Sequence, residues 1–226
     1  CPVPQEGGVY GWYFDAVPPG IVAANHHTVG KASLLYVGIS PKAPPKNGAR
    51  PSKQTMRERI PYHYQGNAEG STLRLTLGCL LSEELDIELR RVGSGKRMTF
   101  AEGEEVLSQW MADNAFVCWQ QDDAPWVRER ELIEELPLPL NLDANKSNPF
   151  AATLSGLRQL AREVAWQLPV VPNKCFRFDE IACGAKPTPT QRQFDAQLTP
   201  STCEGCPPAS DEFTATVADV FCACKR

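Results

Sequence analysis

At 226 residues, 42% hydrophobic and 22% charged, the chain is long enough to bury a sizeable core, and its composition is that of an ordinary globular protein. The net charge of −4 excludes a uniformly basic nucleic-acid coat, and no apolar run approaches the roughly 18 residues needed to cross a bilayer. The N-terminus lacks the charged-then-apolar layout of a secretory leader, so a cytoplasmic protein without membrane association is expected.

In chain order, "GGVYGWYF" (7–14) and "ASLLYVGIS" (32–40) read as strands joined by a long connection, a hairpin with an enlarged loop. "PKAPPKNGARPSK" (41–53) is an exposed loop rich in Pro and Lys/Arg. "SKQTMRERIPYHY" opens a helix, with Ser52 or Thr55 as cap and Pro61 expected to bend or end it. "EGSTLRLTLGCLLSEEL" is a second helix, packed by Leu73, Leu77, Leu80 and Leu81, and "DIELRRVG" a short strand. "GEEVLSQWMADN" is a helix, and "AFVCWQQ" (115–121) a strand able to join the hairpin as a third member. "APWVRERELIEEL" (124–136) is an amphipathic helix with Val127, Leu132, Ile133 and Leu136 on one side, stopped by "PLPLN". A last helix (148–168) has Asn148 as expected cap and Pro149 at its first position. The fold class is therefore α/β (α+β): a small central antiparallel sheet flanked by helices over residues 1–170, followed by a Cys/Pro-rich tail, 171–226.

Charge and cysteine are unevenly spread. Residues 31–100 carry twelve Lys/Arg against six Asp/Glu, and residues 101–136 two against ten. A phosphate-attracting surface beside a metal-attracting pocket would produce that split; so would two solvated helix faces. Cys79 and Cys118 lie in apolar runs and read as small buried hydrophobes, whereas six of the nine cysteines crowd into 175–224. Cys203, Cys206, Cys222 and Cys224 form two pairs that could hold Zn2+, although a single residue separates the second pair. A reduced, loosely ordered tail and a disulfide-bonded one are the alternatives.

Phosphodiester hydrolysis needs an activated water, positive charge on the phosphate and help for the leaving oxygen. One carboxylate suffices for Mg2+ when water and phosphate complete its shell. Arginine matches a phosphate bidentately, and a tyrosine serves as base only when cations pull its pKa below about 10. The sequence supplies Tyr10 and Tyr36 on two pairing strands, Arg59 and His63 four apart on one helix face, Glu129 at the edge of an apolar stripe, and Asn141 beyond it.

"GVY" with "YVG", an Arg-bearing helix, the carboxylate of "ERELI" and the Asn of "PLPLN" resemble the GIY-YIG nuclease family; "RERIPYHYQGNAEGSTLRLTLGCLL" and "RRVGSGKRMTF" resemble a bacterial branch of it. The resemblance spans about residues 7–168. It implies that Tyr10 and Tyr36 orient the attacking water, one of them as general base, that Arg59 neutralises the scissile phosphate, and that His63 stands on the leaving-group or base side. It implies Glu129 as the ligand of Mg2+ (or Mn2+), Asn141 as a brace, and Gly38 as the motif glycine. The motif halves stand further apart here than the family's usual spacing, which a loop insertion explains, and Ile39 replaces a lysine that several members carry, with Lys42 as a possible substitute. Lys42, Lys46, Arg50 and Lys53 would follow a phosphate backbone. The expected activity is metal-dependent cleavage of nucleic acid, DNA in the first instance; a non-cutting binding module and a zinc-tethered interaction protein are the alternatives. His26 and His27, adjacent in a loop, point apart and do not suggest a metal site, and Trp12 and Trp119 read as packing groups.

Overall fold

The structure, a computed structural model, describes residues 3–22 and 26–172. In chain order it runs β1 (Gly8–Phe14), β2 (Thr28–Val29), β3 (Ala32–Ser40), α1 (Met56–Gln65), α2 (Thr72–Leu80), β4 (Arg90–Val92), β5 (Arg97–Thr99), α3 (Gly103–Asn114), β6 (Ala115–Gln121), α4 (Pro125–Glu135) and α5 (Ala151–Gln167). Four strands form one antiparallel sheet in the order β2-β3-β1-β6, and β4 pairs with β5 in a separate ribbon. The expected hairpin and its third strand are both present, so the chain is an α+β fold around a small antiparallel sheet.

β1 is the central strand, and every one of its residues is buried. Side chains alternate along a strand, so its two faces feed two cores. Tyr10, Trp12 and Phe14 pack with Leu35, Met56, Ile60, Leu73 and Leu107, the side of α1, α2, α3 and α5. Val9 and Tyr13 pack with Leu34, Val37, Leu132 and Ile133, the side of α4. Pairing places Tyr10 opposite Gly38 and Trp12 opposite Tyr36. Opposed residues share a face, so the two motif tyrosines lie diagonally across one surface of the sheet.

α1 begins in a capping box: Glu58 N–H donates to Thr55 Oγ1 at 3.3 Å and Thr55 N–H donates to Glu58 Oε2 at 2.8 Å. Thr55, not Ser52, is thus the cap. Pro61 does not end the helix, which continues to Gln65; a proline removes one intrahelical bond, and the buried Ile60, His63 and Tyr64 hold the next turn in place. α2 is shorter than its apolar pattern suggests: Leu81 caps it and 82–86 turn away, Leu81 remaining buried without being helical. On α4, Val127 is 48% exposed rather than part of the apolar side, while Leu132 and Ile133 are buried. α5 starts at Ala151, not at Asn148: Asn148 Oδ1 accepts from Phe150 N–H at 3.0 Å, forming a turn one step ahead of the helix. The chain after α5 is still tied to the ribbon, Val171 N–H donating to the Arg91 carbonyl at 3.0 Å.

Candidate active site

The site grows from the shared face of β1 and β3 where α1 crosses it. Gly38 sets the depth of this floor: a Cβ there would lie 2.7–2.8 Å from the Tyr10 ring and hydroxyl, so glycine lets the ring lie flat against β3. Arg59 and His63 project from one side of α1 toward it. His63 Nε2 lies 2.8 Å from the Tyr10 hydroxyl, and the Tyr10 and Tyr36 rings sit 5.4 Å and 6.3 Å from the imidazole, centroid to centroid. Arg59 lies near enough to Tyr10, Tyr36 and His63 to act on all three; its Nη1 donates to the Gly70 carbonyl at 2.9 Å. Glu129, on α4, acts on both tyrosines. Of the six residues expected from the sequence, Tyr10, Tyr36 and His63 are thus in ring contact, and Arg59 and Glu129 lie within electrostatic reach of both tyrosines.

Asn141, the sixth, holds the wall rather than the floor. Its Oδ1 accepts from Val37 N–H at 2.9 Å and its Nδ2 donates to the Val37 carbonyl at 2.8 Å, so one side chain replaces a neighbouring strand beside Tyr36. Lys42 lies within electrostatic reach of Glu129. Lys46, Arg50 and Lys53 are exposed on the 41–53 loop, and no described contact brings them to the floor. Cys203, Cys206, Cys222 and Cys224 lie outside the described residues.

Proton positions follow from satisfaction of the buried groups. Ser71, fully buried, already accepts from Arg74 N–H at 3.2 Å as the cap of α2. Its own proton needs an acceptor, and His63 Nδ1 stands 2.8 Å away. With Nδ1 accepting, the ring's proton sits on Nε2 and donates to the Tyr10 oxygen. Burial, with Arg59 and Arg74 nearby, keeps His63 well below its ordinary range and hence neutral, as this arrangement requires. The Tyr10 proton is left facing the Ile39 carbonyl at a long 3.4 Å.

The tyrosines are not lowered toward neutrality, as a resting general base would require. Burial pushes Tyr10 up to about 12, with Arg59 pulling against it, and pushes Tyr36 up further, helped by Tyr10 and Glu129. Desolvation outweighs one flanking guanidinium. Glu129 is raised to about 7 by burial and by Asp143, against the pull of Lys42. Ser71 and Asp143 escaped the sequence reading. Ser71 was legible as a helix cap but not as a partner of His63, and Asp143, two residues after Asn141, has no local pattern to mark it.

The family model for the GIY-YIG catalytic domain matches residues 8–160. The chain belongs to the GIY-YIG family. No curated protein and no solved structure matches it. Membership points to nuclease-type chemistry on nucleic acid, generally supported in this family by a divalent metal ion. No described helix is long and apolar enough to cross a membrane.

The donor set fits such an ion. Glu129 and Asp143 offer hard carboxylate oxygens within electrostatic reach of each other, and a half-buried carboxylate whose proton is held to about pH 7 lacks positive charge. No group of three or more metal-binding side chains gathers among the described residues. A cation here would have to complete its shell with water and phosphate oxygens.

Proposed function

We propose that this GIY-YIG protein is a metal-dependent endonuclease that hydrolyses phosphodiester bonds, DNA being its substrate. The reading rests chiefly on one observation: residues of four separate elements come together at the Gly38 floor, Tyr10, Tyr36 and His63 in ring contact and Arg59 and Glu129 within electrostatic reach of the tyrosines. Glu129 would hold Mg2+ or Mn2+, with Asp143 beside it. The bound cation would supply the positive charge that stabilises the phosphate and eases deprotonation of water.

Arg59, within electrostatic reach of Tyr10, has a planar fork that can take two non-bridging phosphate oxygens. Tyr10 accepts a hydrogen bond from His63 and so keeps its own proton and a second lone pair to orient a water. Positive charge brought in with the metal would favour the phenolate, the direction opposite to burial. The chain Ser71–His63–Tyr10 would return the phenol to one fixed orientation after each turnover. Asn141 fixes β3 beneath Tyr36, and Lys42, Lys46, Arg50 and Lys53 would extend the contact along the backbone of the nucleic acid.

Incubation with supercoiled plasmid and Mg2+ tests this: nicking that disappears in Glu129→Ala supports it. The raised tyrosines favour one rival, a module of the same fold that binds nucleic acid without cutting. Retention of the plasmid with no nicking under Mg2+ or Mn2+ would select that rival.

A further inference from the structure

Helix α5 lies beyond the five converging residues, yet one of its arginines faces inward. Leu154, Arg158, Ala161 and Ala165 recur at helical spacing, and the stripe they define is the side of α5 that meets the core: Leu154 and Ala165 are fully buried and Ala161 is packed against the same cluster. An arginine in such a stripe carries its charge into low-dielectric surroundings and is costly there unless paired. Arg158 is not paired. Its Nε is buried without a hydrogen-bond partner, and it takes part in none of the ion pairs among the described residues. The groups around it are Tyr36 and Asp143 of the site, the thiol of Cys79, which burial keeps protonated, and Arg162, one turn on and exposed. Asp143 is within electrostatic reach of Arg158 but forms no ion pair with it, and Arg162 adds a second positive charge beside it.

We infer that Arg158 and Arg162 form a second phosphate clamp, on the Tyr36 side of the floor, which grips a phosphate of the nucleic acid neighbouring the one that is cut. The proposal rests on the nuclease reading, since it assigns a ligand to the flank of that site. Arg158 is only partly buried as a whole and Arg162 is exposed, so two guanidinium forks one turn apart can present paired donors to one tetrahedral anion. A grip on a non-reacting phosphate is the same in ground and transition states, so it governs KM and salt dependence and leaves kcat alone.

The test is binding of a short fluorescent DNA duplex across a salt series, with metal withheld by chelator, for the wild type, Arg158→Met and Arg162→Gln. Each loss of a phosphate contact should reduce the slope of log K against log salt by about 0.9. With Mg2+ restored, each variant should raise KM by about tenfold with kcat within about twofold of wild type. Arg162 is exposed, so Arg162→Gln keeps the question answerable should Arg158→Met fail to fold. Unchanged slopes in a wild type and variants that bind and cut would overturn the clamp while leaving the nuclease standing. A fall in kcat at unchanged KM would overturn it too, placing the arginines on the reacting phosphate. A wild type that neither binds nor cuts nucleic acid would remove the nuclease reading, and the clamp with it.

Discussion

Two buried polar networks lie a few residues apart, and they are built on opposite principles. Around Arg74, fully buried on α2, every donor is matched. Nε and Nη2 donate to Glu104 Oε2 at 2.9 and 2.7 Å, Nη2 also donates to the Glu104 carbonyl at 2.7 Å, and Nη1 reaches the carbonyls of His63 and Tyr64 at 3.2 and 2.7 Å. The other Glu104 oxygen accepts from the backbone of Ala68 and Phe100 at 2.7 and 3.1 Å. Across α1, the site assembles the same kinds of group with the account left open. Arg59, Glu129, Asp143 and Arg158 form no ion pair with one another, and Glu129 keeps its proton to about pH 7. A closed network specifies architecture; an open one is electrostatically incomplete without a ligand. The two meet at His63, whose carbonyl serves Arg74 and whose ring serves Tyr10.

The contrast breaks first at Glu129. Glu129→Gln keeps the shape and removes the charge, so cleavage at fixed Mg2+ should fall by about 10³-fold or more while the melting temperature holds or rises. A variant that melts early would place Glu129 in the closed class instead. The reverse behaviour is expected of Arg74→Met, which strands a buried carboxylate and should cost about 3–5 kcal/mol in urea unfolding. Adding Glu104→Met should recover only part of it, because Ala68 and Phe100 would then lose their acceptor.

Tyr10→Phe sits between the two networks. It should lower cleavage by about 10²-fold, and leaving His63 Nε2 unmatched should also cost about 1–3 kcal/mol in the same unfolding experiment. Activity lost with no change in stability would mean the Tyr10–His63 bond is not maintained in solution.

The smallest effect is a pH dependence. Glu129 titrates at about 7 when folded against an ordinary 4.5, so between these values the folded state holds a proton that the unfolded state has released. In the metal-free protein this contribution to stability is present at low pH and fades as pH rises through that window. Mg2+ requires the ionised carboxylate, so its apparent affinity should strengthen by about tenfold per pH unit below 7 and level off above. Melting curves with and without Mg2+ at pH 5.5 and 8 measure both, and an equal Mg2+ shift at the two values would remove Glu129 from the metal site.

Much of the local structure could be read residue by residue. The Thr55 cap, the strands at 7–14, 32–40 and 115–121 and the helix from 124 rest on short-range signals and appear where the pattern put them. The start of α5 was misplaced because an Asn–Pro pair serves a turn as readily as a cap, and the end of α2 because Leu81 is buried whether or not it is helical. The β4–β5 ribbon was half seen, β5 being only three residues long. No local pattern marks Arg74, Glu104 or Arg158 as turned into the core.

The sequence by itself determined the element types, the family pattern and which polar residues were worth following, because helical and strand periods and caps act over a few neighbours. Only the tertiary structure decided which charges are neutralised. Whether Arg74 finds Glu104, Arg158 finds nothing or Tyr10 is held above its ordinary range depends on desolvation and on partners tens of residues away, and no local pattern encodes either.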